Sequence, residues 1–270
     1  VPELLSGQNV SFVCKQLLGV ILLVTSLTTN VDSHFLNEVV PVINNPMLTK
    51  GVSYLTFSEY SVLYSPVTRT SLYSAEYLTI DRVKAAHNIP RVDTFHEEPL
   101  ISSLNHPQLN DYHSISSTYD RGHLSPSGDM SNPTSQQESF SLVNVVPQNK
   151  DNNEHLWEAI EERVRITALH DNLYVVTGGG YLLTSPIRYT RGGIAIPDIM
   201  FKAIYNASTG LAGVYITPNA AGGLYEIVST TELYRRTGID VFPLLSNDVK
   251  NRVAPLGKPI YWNKGLTSTN

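Results

Sequence analysis

Residues 119–130 read YDRGHLSPSGDM and set Arg121, Gly122 and His123 side by side, just ahead of a Pro- and Gly-bearing loop. A histidine at the end of a strand, on the rim of a surface loop, is well placed to meet a substrate. A second informative stretch, residues 144–165, reads NVVPQNKDNNEHLWEAIEERVR. Within it Asn153, Trp157, Glu161 and Arg165 recur every four residues, so on a helix they line one slowly drifting stripe. An amide, an acid and an arginine in one row suit a phosphate and its cation. Hydrolysis of a phosphodiester needs a base for water, a divalent cation for the developing charge, and cations near the leaving group. His123, then Asn153 with Glu161, then Arg121 with Arg165, supply those three requirements.

Neither stretch is decisive alone. A histidine in a loop is more often a hydrogen-bonded surface residue than a catalyst, and a Glu–Arg row on a helix is more often a solvated face. Their combination carries the chemistry.

The elements that must position these residues are partly legible. Leu156, Ile160, Val164 and Ala168 form an apolar stripe beside the polar one, which predicts a helix over about 153–169. Asp151 followed by Glu154 resembles a capping box at its start. Residues 60–64, 72–78, 173–177, 194–205, 211–217 and 224–228 read as strands, with a hairpin turn at 206–210 and a short helix in 229–237. The three glycines at 178–180 read as a turn ending a strand, and residues 84–118 mostly as loop. No linker interrupts the chain after residue 34, so the expectation is one α+β domain over 34–270.

The chain has 270 residues and a formal charge of −5, of which the first 33 residues carry −1 through Glu3, Lys15 and Asp32. The remainder is mildly acidic and lacks the basic stripe of a tight nucleic-acid binder. Cys14 is the only cysteine, which excludes an intramolecular disulfide.

Residues 120–130 closely resemble the signature of the DNA/RNA non-specific endonucleases, a group of ββα-metal nucleases with mitochondrial and secreted bacterial members. The second segment resembles the same family's pattern through Asn144, Pro147, Gln148, Asn153, Trp157, Glu161 and Arg165. The resemblance extends over about residues 54–237 and is strongest in 119–165. It implies an α+β fold with a central antiparallel β-sheet flanked by helices. In such a fold the ββα-metal site is a strand, a His-bearing loop, a second strand and a helix laid across them.

The resemblance also assigns roles. His123 matches the general base, Asn153 the one side chain that directly binds the metal, and Glu161 the acid that holds metal-bound water. Arg121 and Arg165 match the arginines on the pentacoordinate phosphate, and Asn144 a supporting asparagine. Arg91, in an Arg-x-Asp-x-Phe stretch, resembles an upstream substrate-binding arginine, and Asp120 orients rather than reacts. The implied cofactor is Mg2+, with Mn2+ able to substitute. The implied substrates are DNA and RNA, and an inhibitor or immunity protein is a candidate partner. Two other readings stay open: a nuclease-like domain that binds without cleaving, and a nuclease delivered as a toxin or effector. The first is expected to lose its base or metal ligand, and here both are present.

Residues 17–27 read LLGVILLVTSL, follow Lys15, and precede the small polar run 28–33. That is the layout of a secretory signal peptide and is short for a membrane span. The expectation is a signal peptide over 1–33, a secreted or periplasmic product, and no stable membrane association after cleavage. Mass spectrometry of protein from its native host should find an N-terminus between residues 29 and 34; an uncleaved cytosolic chain would contradict this.

Overall fold

The structure is a computed structural model that describes residues 40–101 and 106–261. The apolar run at 17–27 lies outside the described residues. In chain order the first elements are β1 (Val42–Ile43), β2 (Ser53–Thr56), β3 (Ser61–Ser65), β4 (Thr70–Leu78), α1 (Ile80–Ala86) and α2 (Leu109–His113). Then follow β5 (Tyr119–His123), α3 (Pro133–Glu138), β6 (Val145–Asn149), a π-helical segment at Asn152–Trp157 and α4 (Glu158–Ala168). The chain continues with β7 (Leu173–Gly180), β8 (Arg188–Tyr189), β9 (Ala195–Ile196), β10 (Ile199–Asn206), β11 (Leu211–Pro218) and β12 (Glu226–Val228). It closes with α5 (Thr230–Thr237), β13 (Ile239–Asp240) and α6 (Asn247–Asn251).

Seven strands form a fully antiparallel sheet in the order β12-β11-β10-β7-β4-β3-β2. This is the α+β architecture expected. Alternation along β7 and β10 divides the sheet into two faces. Tyr174, Val176, Phe201 and Ala203 pack into one core, and Leu173, Val175, Met200 and Ile204 into the other. The second core is covered by the helix, through Leu156, Trp157, Ile160, Val164 and Ala168. Among the described residues no helix is long and apolar enough to cross a membrane.

The ββα unit is a small antiparallel pair, β5 with β6, that sets His123 opposite Val145 and Arg121 opposite Pro147. The chain then enters the helix directly. Gly122 makes this joint possible: a Cβ there would lie 2.1 Å from Gln148 Oε1 and 2.5 Å from Gln148 Cβ. Gln148 lies in that space and donates to Asn152 Oδ1 at 2.8 Å, and Asn152 donates to Thr217 Oγ1 at 3.1 Å. The helix start is thus tied to the central sheet through two buried amides.

Several expectations are corrected. Asp151 makes no side-chain cap; its carboxylate accepts instead from the Gly222 amide at 3.0 Å, and Asn149 Oδ1 accepts from the Asn152 amide at 3.3 Å. The helix opens with a π turn, whose extra residue lets both Leu156 and Trp157 face the sheet. Trp157 therefore leaves the polar row and enters the core. The segment 84–118 is not wholly loop, since α1 reaches into it and α2 lies inside it. The strand expected over 194–205 is broken at Pro197 and Asp198 into β9 and β10.

Gly178 to Gly180 do not form a turn; they continue β7 to its end. Gly178 pairs with Phe201 in register, and a Cβ there would lie 2.5 Å from the Phe201 ring and 2.6 Å from the Leu72 carbonyl oxygen. The second neighbour is backbone and cannot yield. Gly178→Val should lower stability by about 1–3 kcal/mol, read as a shifted urea midpoint with an unchanged slope; an unmoved midpoint would refute this packing.

Candidate active site

A cavity of about 810 Å3 opens beside β5 and the helix. Its lining brings together Arg91, Arg121, His123, Asn153, Glu161 and Arg165, six of the seven residues singled out in the sequence. Asn144 is the seventh and is not on the pocket wall. It is fully buried, accepts from the Ser125 amide at 3.0 Å, and donates to the Ser125 and Ser139 carbonyls at 2.8 and 2.9 Å. That capacity goes to Ser125 in the loop after His123 and to Ser139 at the end of α3, so its place here is that of a brace.

His123 sits between two phenyl rings. Phe95 lies 5.3 Å from it in a tilted contact, and Phe140 lies edge-on at 4.9 Å. Arg121 stands over the outer ring of Phe95 at 4.0 Å, and Arg91 over Phe140 at 5.1 Å. The three rings meet pairwise, Phe95 and Phe140 also edge to face at 4.9 Å, and a cation lies over each phenyl ring. Phe95 is held there because the chain at His96 pairs with Ser141 and exchanges backbone hydrogen bonds with Phe140 and Leu142. Burial, then Arg91 and Arg121, push the imidazole down to about 3. Its Nε2 is buried with no hydrogen-bond partner. The imidazole is therefore neutral near pH 7, the form a base requires.

Asn153 Nδ2 donates to Asp120 Oδ2 at 3.0 Å. That bond fixes the orientation of the amide and leaves its carbonyl oxygen for another partner. Asp120 thus positions the Asn153 amide, where the sequence pointed to an orienting part within its own loop. Glu161 lies on the same wall, and burial pushes it up to about 7 against the opposing pull of Lys202 and Arg165. Lys202 is buried at 1% exposure, donates to Thr177 Oγ1 at 2.7 Å, and lies 5.5 Å above the Trp157 ring.

Arg165 is held from two sides, by Asp129 Oδ1 at 3.0 Å and Glu162 Oε2 at 3.1 Å. The carboxylates of Asp129, Glu161 and Glu162 hold its guanidinium further above its already high range. Asp129 is itself fixed by its backbone, whose carbonyl accepts from Arg82 Nε at 2.9 Å. Arg91 bridges Asp93 Oδ1 at 2.7 Å and Ser127 Oγ at 2.9 Å.

Among the described residues no three His, Cys, Asp or Glu side chains cluster to hold a metal on their own. Asn153 offers one neutral carbonyl and Glu161 one carboxylate on the same wall. That set fits a hard cation that keeps most of its water.

Sequence reasoning missed Phe140, which lies between the two motifs, and Lys202, which lies far from both. Asp129 and Phe95 stood inside the quoted stretches but were given no role.

A ββα unit whose strand and helix bring a histidine, an asparagine and arginines to one cleft is the arrangement of the ββα-metal fold. The chain belongs to the DNA/RNA non-specific endonuclease family, whose profile matches residues 40–248. It is 30% identical over 218 residues to the mitochondrial nuclease EXOG of Danio rerio, covering 72% of this chain and 62% of that protein. It is 31% identical over 183 residues to nuclease C1 of Cunninghamella echinulata var. echinulata, covering 62% and 72% respectively. Bovine mitochondrial endonuclease G is 29% identical over 185 residues, covering 63% and 61%. The chain therefore spans less than two thirds of the EXOG and endonuclease G chains it matches. The fold is that of EndoG in a solved EndoG/EndoGI complex, with a TM-score of 0.64 at 24% identity over 77% of this chain and 91% of that one.

The lowered imidazole has a sign that can be checked. An unfolded histidine takes up a proton near pH 6.5, whereas the folded site refuses it until about pH 3. Burial of neutral His123 therefore costs nothing above pH 6.5 and lowers stability progressively as pH falls from 6.5 toward 3. In NMR of the metal-free protein, the His123 ring signals should hold the neutral form from pH 8 down to 4.5. A midpoint near 6.5 would refute the environment described.

Proposed function

We propose that this protein is an endonuclease that hydrolyses phosphodiester bonds of both DNA and RNA, with His123 as general base and one hydrated Mg2+, for which Mn2+ can substitute. The observation that carries the reading is the convergence of a neutral, ring-packed His123, an oriented Asn153 amide and three arginines on one cleft. Family membership and the likeness to named nucleases support it.

In this mechanism His123 takes a proton from the attacking water. Arg121 and Arg165 hold the non-bridging phosphate oxygens and carry their growing charge. Asn153, steadied by Asp120, would hold the cation through its side-chain carbonyl, and Glu161 would hold water of its shell. When bound, the cation supplies charge neutralisation to the phosphate and to the departing 3′ oxygen. The products carry 5′-phosphates. Arg121, which with Arg91 depresses the imidazole, also meets the phosphate. A phosphodiester anion lying against Arg91 and Arg121 offsets their field and raises the base toward its working range.

The groups named address phosphate and its cation, and none requires a base edge or a 2′-hydroxyl, so the reading includes both sugars. An exported protein is the expected setting, supported by the apolar run at 17–27. An inhibitor protein is a candidate partner, supported by the likeness to EndoG bound to EndoGI.

The test is cleavage of plasmid and RNA by the purified 34–270 chain with Mg2+ and with EDTA. The wild type should cut both, leave 5′-phosphate and 3′-hydroxyl ends, and stop in EDTA. His123→Ala should fold and lose about 10²–10⁴-fold in rate, and Asn153→Ala should lose turnover and metal response together. Restriction to one sugar would overturn the nonspecific part, and 3′-phosphate ends would overturn the mechanism.

A further inference from the structure

The family match ends at residue 248, yet the chain beyond it returns to the active site. After α6, residues 252–261 run as an extended strap with successive anchors. The Ala254 amide donates to the Ala212 carbonyl at 3.1 Å. The Tyr215 hydroxyl donates to the Leu256 and Gly257 carbonyls at 2.6 and 3.0 Å. Arg163 Nε, on α4, donates to the Lys258 carbonyl at 2.7 Å, and the Ile260 amide donates to the Ala159 carbonyl at 2.9 Å. The last two anchors lash the strap along the exposed side of the catalytic helix. They deliver Ile260 and Tyr261 to the lining of the same cleft that holds His123 and Arg165.

Tyr261 is 59% exposed at that cleft. An aromatic ring left largely open on the wall of a phosphate site is unusual unless something covers it, because its apolar faces gain nothing from water. The chemistry beside it limits what that cover is. The same cleft is lined by Arg91, Arg121 and Arg165 with the Asn153 amide, groups that suit a phosphate. What lies one bond system away from a nucleic-acid phosphate is a sugar bearing a planar base. Every base has a π-face, so stacking on one ring grips the strand without reading its sequence.

We propose that the strap forms a base-stacking subsite, in which Tyr261 receives a nucleobase next to the scissile phosphate. The subsite rests on the nuclease reading above, and it adds to it a grip on single-stranded or unwound substrate from outside the family-matched span. Duplex ends and single strands, whose bases are free to stack, gain most from it.

Two measurements test this on the full enzyme. In EDTA, a single-stranded oligonucleotide carrying 2-aminopurine should be quenched on binding wild type. Quenching should be lost with Tyr261→Ala and retained with Tyr261→Trp. With Mg2+, Tyr261→Ala should raise KM for single-stranded oligonucleotides about tenfold, within the range of one stacked base. That penalty should shrink on a strand made abasic around the cut. Arg163→Ala, which unties the strap without touching the ring, should raise KM in the same direction. If Tyr261→Ala matches wild type in both quenching and KM, or if its penalty is equal on abasic and base-bearing strands, the subsite is overturned and the nuclease reading stands. If wild type cuts no nucleic acid at all, the nuclease reading itself falls, and the subsite with it.

Discussion

The active site depends on charge buried beneath it. Arg82 is nearly enclosed, yet its guanidinium is saturated: it donates to the Glu76 carboxylate at 2.7 Å and to the carbonyls of Asp129, Glu59 and Tyr77, and it lies 3.6 Å from the Glu59 carboxylate. Glu59 in turn accepts from the Ser131 amide and hydroxyl. A buried ion is tolerated only when paired and hydrogen-bonded, and removing one partner strands the other. The turn at 129–132 is therefore pinned to α1 and the sheet, and Asp129 within it has one orientation in which to hold Arg165. The guanidinium offered to phosphate is placed by a knot of charges that never meets substrate.

Lys202 extends the same logic to the other side of the cleft. It rises from the middle of β10 on the helix-covered face, where its neighbours on either side, Met200 and Ile204, are core residues. Its ammonium lies against Thr177 and the Trp157 ring, and it opposes the burial that would otherwise neutralise both Glu76 and Glu161. The π turn belongs to this arrangement. By turning Trp157 inward it supplies the aromatic face over Lys202 while Asn153 and Glu161 stay on the cleft.

The histidine is tuned by a different means. Phe95 and Phe140 exclude water from its faces, and Arg91 and Arg121 sit on the outer sides of those rings. Desolvation and two nearby cations act in one direction, so the ring stays neutral without a carboxylate partner to raise it. A substrate anion is the natural counterweight. With a chain charge of −5, the attraction for nucleic acid is local to these arginines and not a property of the whole surface.

The sequence by itself determined the chemistry and most of its spacing. His123, Arg121, Asn153, Glu161 and Arg165 stand in two short motifs, and the positions of Leu156, Ile160, Val164 and Ala168 settle which side of the helix meets the sheet. Such features are local, because helix period and strand alternation act over a few residues. What only the tertiary structure decided is how those motifs are held. Arg82 and Lys202 come from segments remote from the motifs and Phe140 from the stretch between them, and their roles exist only once pairing and ion burial bring them together. Asn144 looked like a site residue and proved a buried brace, because its partners are the backbone of Ser125 and Ser139. The glycines at 178–180 looked like a turn and proved a strand, because Phe201 and the Leu72 carbonyl fill the space their side chains would take. Close packing between distant segments leaves no periodic trace in either segment alone, and that is why the contacts that aim the catalytic groups had to be read from the fold.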